Sequence, residues 1–142
     1  MTIAAILGSK GDTVYSIEGD RTVRDAVSML AEYRIGALPV LREGKVAGVF
    51  SERDVIYCLG TDGAAVLDWP VERVMTAPAI TVTTDISVLA ALSQITRRRI
   101  RHLPVVEGDR LIGLVSIGDL VKYRIDRIET EAEAMRNYIQ SA

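Results

Sequence analysis

The chain has 142 residues with 17 Lys and Arg against 19 Asp and Glu, a net charge of −2, so it has no general attraction for nucleic acid and any phosphate recognition must be local. A chain of this length makes one compact domain that removes roughly 68–70% of its unfolded surface from water, needing neither metal nor disulfide, and the single Cys58 excludes a disulfide framework. No stretch approaches the roughly 18 apolar residues of a membrane span, and the first residues lack the basic start and apolar run of a secretory signal, so the expectation is a soluble cytoplasmic protein with no membrane partner.

In chain order, residues 13–17 read as a strand. Val23, Ala26, Val27 and Leu30 recur at helical spacing, predicting a helix over residues 22–34 with Asp20 or Thr22 at its start. The apolar runs 37–41 and 46–50 flank the polar turn 42–45 and predict a hairpin. Ser51 then opens a second helix through Val55, Ile56 and Leu59, stopping near Gly60 and Gly63. Residues 61–70 read as a polar, Gly-containing connection and 71–75 as a short helix.

The same order then returns: a strand at 79–82, a helix at 87–98, strands at 103–106 and 111–115, and a helix from Ser116. The last helix can run over 119–139 without Gly or Pro. Leu120, Tyr123, Ile128, Ala132, Met135 and Ile139 supply an interrupted apolar stripe, and Glu129, Glu131, Glu133 and Arg136 a solvated side. Such a stripe needs a cover, which is either the chain's own Ile3, Ile6 and Leu7 or a second subunit.

Residues 20–56 realign without a gap on 85–121: Pro39 falls on Pro104, Gly48 on Gly113, Ser51 on Ser116 and Asp54 on Asp119, each pair 65 positions apart. Two β-α-β-β-α units in so short a chain bury their apolar faces against each other about a pseudo-twofold axis with clefts beside it. The expected fold is therefore α/β (α+β), two like halves at 1–66 and 67–142 forming one module, with an extended C-terminal helix. Function is expected in the clefts.

Both copies place Gly in a strand and then Ser-x-x-Asp at a helix start: Gly48-Val49-Phe50-Ser51-Glu52-Arg53-Asp54 and Gly113-Leu114-Val115-Ser116-Ile117-Gly118-Asp119. A helix start offers free N–H groups and a positive dipole end to phosphate, and an Asp one turn in can accept two hydrogen bonds from a ribose diol. The same four residues also make a capping box in which both side chains serve the helix itself. Upstream, Ile35-Gly36-Ala37-Leu38-Pro39 and Ile100-Arg101-His102-Leu103-Pro104 supply apolar walls and backbone amides against which a purine could lie, or simply begin edge strands where Pro is tolerated.

The densest charge is the run 97–102, Arg-Arg-Arg-Ile-Arg-His, at the entry to the strand beside Ser116. Arg97 and Arg98 suit a helix C-terminus, leaving Arg101 as the phosphate candidate, grouped with Asp119 in a second cleft expected to be the stronger site. His102 has no Cys or acidic companion at metal spacing. Cys58 reads as a small half-buried apolar residue.

These residues resemble a known family, the tandem cystathionine-β-synthase (CBS) domain pair, through Leu38-Pro39-Val40 with Gly48 to Asp54 and Leu103-Pro104-Val105 with Gly113 to Asp119. The resemblance covers nearly the whole chain, which looks similar to the stand-alone bacterial signal-transduction proteins made only of this pair. It implies clefts that bind adenosine-containing ligands such as AMP, ATP, NAD, NADH or S-adenosylmethionine, with no catalytic cofactor, and dimerisation of two pairs into a disc. It implies Asp54 and Asp119 as ribose acids, Ser51 and Ser116 as phosphate or ribose partners, Arg101 and His102 as phosphate contacts, and Ile35 to Leu38 with the backbone near Leu103 as the adenine lining. Gly36-Ala37 stands where the second copy has Arg-His, so the first cleft is expected to lack a phosphate clamp.

The expected function is a regulatory adenine-nucleotide sensor that signals in trans to an unidentified effector protein. Nucleic-acid binding through residues 97–101 is an alternative, marked by a steep salt dependence. An enzyme acting on a nucleotide is another, although the sequence holds no Ser-His-acid set, metal cluster or Walker-type loop.

Overall fold

The computed structural model describes residues 2–11 and 13–141. An opening helix α1 (Ile3–Lys10) precedes a first unit of β1 (Ile17–Glu18), α2 (Val23–Tyr33), β2 (Ala37–Arg42), β3 (Lys45–Ser51) and α3 (Glu52–Asp62). A second unit holds α4 (Val88–Arg98), β4 (His102–Glu107), β5 (Arg110–Ser116) and α5 (Ile117–Ser141), and 3-10 turns at Gly63–Asp68 and Val71–Arg73 lie between the two. This is the expected mixed α/β architecture of two like units with a long final helix.

The duplication extends to the details that start and stop each element. Thr22 caps α2 by accepting from Asp25 N at 3.1 Å, and Ser87 caps α4 by accepting from Ala90 N at 3.0 Å. Both helices stop on an arginine in the left-handed region, Arg34 (φ 53) and Arg99 (φ 55). The next N–H then reaches back, Ile35 to Leu30 O at 3.1 Å and Ile100 to Ile95 O at 3.2 Å, which is a Schellman-type ending. β2 pairs antiparallel with β3 from Ala37↔Ser51, β4 with β5 from His102↔Ser116, and each ladder shifts register at the same place, Val40/Leu41 and Val105/Val106. Pro39 is tolerated because β1 pairs with β2 only from Val40 onward, so the missing N–H removes no ladder bond.

Each unit has its own apolar core, and each core is completed by the segment that leads into the other unit. Ile3 and Ile6 of α1 are buried among Val88, Ala91, Ile95, Leu103, Val115 and Leu120 of the second unit. Val71, which leads into the second unit, is buried among Val23, Leu30, Leu38 and Phe50 of the first. The leads are held at matching points, Thr2 bridging Ser87 and Pro70 bridging Thr22, the caps of α4 and α2. Glycine makes this crossing possible at Gly48, where a Cβ would stand 2.7 Å from the Thr76 carbonyl oxygen. Val49 and Thr76 can therefore exchange two backbone hydrogen bonds of 2.9 Å.

Four expectations change. The strand predicted over 13–17 is only Ile17–Glu18, and the one at 79–82 shrinks to a single bridge, Val82↔Val105, because the residues before each run along a cleft instead of a ladder. The connection 61–70 is not simply polar: α3 continues to Asp62, and the Ala-Ala-Val-Leu stretch turns Val66 fully inward with Leu67 and Trp69 against the first core. The final helix is longer than predicted, Ile117–Ser141. Its first turns are covered by α1, since Leu120 and Tyr123 pack in the cluster of Ile3, Ile6 and Leu7, whereas residues 125–141 are exposed throughout.

Candidate ligand-binding clefts

Because the leads cross over, the larger cleft mixes the acid of one unit with the helix end and strand entry of the other, whereas Asp119 lines neither cleft and meets the smaller one only through Lys10. The larger cleft, of about 280 Å³, is lined by Val49, Ser51, Glu52, Arg53 and Asp54 of the first unit, by Thr76, Pro78, Ala79 and Ile80 of the lead, and by Arg98, Arg99, Ile100, Arg101 and His102 of the second. Gly36 forms part of its floor, where a Cβ would stand 3.4 Å from His102 Nε2. The two strand entries are held alike, Glu52 N donating to Gly36 O at 3.0 Å and Ile117 N to Arg101 O at 2.8 Å.

This overturns the grouping read from the sequence. Arg101 and His102 were expected beside Asp119, yet they line the cleft of Asp54, so the Arg-His pair missing at Gly36-Ala37 is supplied to the first unit's acid by the second. Arg98 lines the cleft too instead of serving only as a helix end, together with Arg99, while Arg97 stays on α4 and donates to Ser93 Oγ at 3.4 Å. Adjacency in sequence suggested that a repeat keeps its own cleft; the bridge of Thr76 to Val49 shows that the lead carries the cleft wall across.

The smaller cleft, of about 120 Å³, is lined by Leu7, Lys10, Gly11, Thr13, Val14, Tyr15, Ile35, Ala37, Gly113 and Leu114. Ile35 and Ala37 thus line this one, whereas Gly36 between them lines the larger cleft. Leu38, Leu103 and Pro104 line neither, being buried in β2 and β4, and Ser116 and Gly118 lie at the start of α5 outside both linings. Of the residues missed in sequence, Ala79 and Ile80 had a signal, since they belong to the strand predicted at 79–82, and Thr76 had none.

The capping-box geometry holds at both acids. Asp54 Oδ2 accepts from Ser51 N at 2.9 Å and Ser51 Oγ at 3.2 Å, and Asp54 N donates to Ser51 Oγ at 3.4 Å. Asp119 Oδ2 accepts from Ser116 N at 2.9 Å, and Asp119 N donates to Ser116 Oγ at 3.1 Å. Capping does not exhaust these side chains, and their second partners differ. Asp54 Oδ1 accepts from the Thr76 hydroxyl at 3.0 Å, a neutral group that a ligand hydroxyl can replace. Asp119 Oδ2 takes the Lys10 ammonium at 2.7 Å, and Lys10 also donates to Leu114 O at 2.8 Å. A lysine that lines the smaller cleft thus holds the acid of the second unit.

Electrostatics follow the same division. Partial burial would raise the Asp119 carboxyl, but the Lys10 ammonium and the Ser116 N–H outweigh it and hold the group below the usual carboxylate range. Burial of His102 disfavours its imidazolium and depresses it below its ordinary value; Glu52 and Asp119 pull the other way, and Lys10 and Arg101 push further down. Burial raises the Cys58 thiol, which donates to Val55 O at 3.4 Å and has the character of an unreactive half-buried residue. Among the described residues no group of His, Cys, Asp and Glu could hold a metal, and no helix is long and apolar enough to cross a membrane.

The family model of the CBS domain matches this chain twice, over residues 12–60 and 71–126. The chain belongs to the CBS-domain family. It is 35% identical, over 98% of its length and 72% of the relative's, to the CBS domain-containing protein CBSX3, mitochondrial, of Arabidopsis thaliana. Among solved structures it is similar to the CBS-domain containing protein ATU1752 from Agrobacterium tumefaciens, with a TM-score of 0.83 and 34% identity over 87% of this chain and 99% of that one. It also shares its fold with the CBS domain pair of protein MJ0100 solved in complex with 5′-methylthioadenosine and S-adenosyl-L-methionine, with a TM-score of 0.79 and 22% identity over 89% of this chain and 98% of that one.

Proposed function

We propose that this CBS pair is a regulatory module that binds an adenosine-containing ligand of the AMP, ATP or NAD type in the larger cleft, works as a homodimer, and passes ligand occupancy to an effector protein without chemistry of its own. The observation that carries this reading is one cavity whose lining joins the Asp54 carboxylate, bonded to the Thr76 hydroxyl, with Arg98, Arg99, Arg101 and His102. An acid suits a ribose diol, and guanidinium forks suit phosphate oxygens. Ile80, Pro78 and Ile100 add apolar lining for a base. The MJ0100 pair, solved with two adenosine compounds, supports the class of ligand on the same fold.

The cation run favours this cleft over an extended nucleic-acid surface, because three of its arginines line one cavity together with an acid. With Lys10 on Asp119, the smaller cleft is the weaker site, and the expected stoichiometry is one ligand per chain. A thermal-shift panel of AMP, ATP, NAD, NADH and S-adenosylmethionine tests the reading. A ligand at about 100 times its dissociation constant stabilises the fold by about 2.7 kcal/mol, a rise of roughly 5–11 °C for a domain of this size. No rise with any of the five at millimolar concentration contradicts it, and turnover of any of them contradicts a purely regulatory role.

A further inference from the structure

Beyond Tyr123 the final helix leaves the core: residues 125–141 carry no buried side chain, yet they continue α5 for roughly five more turns. Helices in proteins owe most of their stability to the packing of an apolar face, so the apolar face of this extension calls for a partner. Val121, Ile125, Ile128, Ala132, Met135 and Ile139 follow one another at steps of 4, 3, 4, 3 and 4 residues. A strict 3.5-residue period is the seam of a left-handed supercoil, so the partner it fits is a helix of the same period. The seam is open to solvent, with Ile125 49%, Met135 59% and Ile139 65% exposed.

The flanking charges select a second copy of this chain, and its direction. In a parallel in-register pair, each residue just before an a position meets the residue five further on in the partner. Arg124 then faces the partner's Glu129, and Glu131 faces the partner's Arg136, each contact occurring twice by symmetry. An antiparallel pair overlapping along the whole seam instead sets Glu131 against Glu131, Glu129 against Glu129 and Lys122 against Arg136. The first arrangement is attractive at both levels and the second repulsive at all three. We propose that residues 121–139 form a parallel, two-stranded coiled coil with the same segment of a second copy. It deepens the homodimer of the proposed function and is independent of nucleotide binding.

The test uses the full chain with Cys58→Ser and one new cysteine at a time, Met135→Cys on the seam or Ala134→Cys on the outer face, oxidised with copper phenanthroline, with light scattering on the unmodified chain. Parallel pairing puts the two Met135 positions side by side, so this variant becomes a covalent dimer while Ala134→Cys remains single. Antiparallel pairing separates them by about 15 Å along the axis, ten residues at about 1.5 Å each. Glu131→Arg slows the cross-linking several-fold, and adding Arg136→Glu restores it. No covalent dimer at Met135, or equal cross-linking at both sites, overturns the coiled coil. If light scattering still gives a dimer, the homodimer stands on other surfaces; a monomeric mass removes both.

Discussion

His102 is the chain's one histidine, so side-chain proton uptake between about pH 5 and 7.5 reports on a single residue that lines the larger cleft. Burial depresses its pKa below the ordinary 6.5. The unfolded chain therefore takes up the proton first as pH falls. Stability is full above the unfolded value, declines as pH drops through about 6.5, and levels off once the folded-state pKa has been passed. The slope of that decline for one proton cannot exceed about 1.4 kcal/mol per pH unit. With a urea dependence of about 2 kcal/mol/M, this is a fall in the unfolding midpoint of at most about 0.7 M per pH unit. Asp119 does not confuse the measurement, because its depressed pKa gives stability that is lost only as pH falls below about 3.8. Urea midpoints at pH 7.5, 6.5 and 5.5 are expected to fall for the unmodified chain and to stay level for His102→Asn. A midpoint indifferent to pH, or the same slope in the variant, would refute the assigned burial. A phosphate-bearing ligand in the cleft favours the imidazolium, so AMP is expected to bind more tightly at pH 6 than at 7.5, and adenosine not.

The remaining expectations concern both clefts and the packing behind them. Asp54→Ala is expected to abolish the ligand-induced thermal shift and Asp119→Ala to keep it, each losing about 1 kcal/mol of intrinsic stability as the hydrogen bond from the helix-capping serine's N–H is removed; the opposite ranking contradicts the assignment of the larger cleft. Lys10→Met should change stability by less than about 1 kcal/mol, because its ion pair with Asp119 is partly exposed, and should raise the calorimetric stoichiometry from one ligand per chain toward two. Gly48→Ala forces a Cβ onto the Thr76 carbonyl oxygen and is expected to cost about 1–3 kcal/mol in chemical denaturation and to weaken ligand binding through Thr76; wild-type values for both would show that the backbone can give way. Ile95→Ala, at a position 1% exposed in the second core, is expected to cost about 2–5 kcal/mol by the same assay.

What was legible in the sequence was whatever depends on near neighbours along the chain. Helical spacing located α2 and α4 to within a residue or two, the apolar runs gave both hairpins, and Ser-x-x-Asp gave the two helix starts. Six of the fifteen residues that line the larger cleft were in view as well, Asp54, Ser51, Arg53, Gly36, Arg101 and His102. Their grouping was not. Nothing local to Thr76 says that it pairs with Val49 across the unit boundary, and that one bridge decides which acid the arginines face. Lys10 was invisible for the same reason, because its bonds to Leu114 and Asp119 span more than 100 residues. The two short strands were overestimated because residues that wall a cleft carry the same alternating apolar pattern as residues in a ladder.

Co-crystallisation with AMP tests the central claim most directly. The account predicts a nucleotide in the larger cleft, its ribose hydroxyls within about 3.2 Å of the Asp54 carboxylate and its phosphate among Arg98, Arg99 and Arg101. A cleft that holds only water at saturating AMP, with Asp54 still engaged by Ser51 and Thr76 alone, or a nucleotide found only beside Asp119, would contradict it.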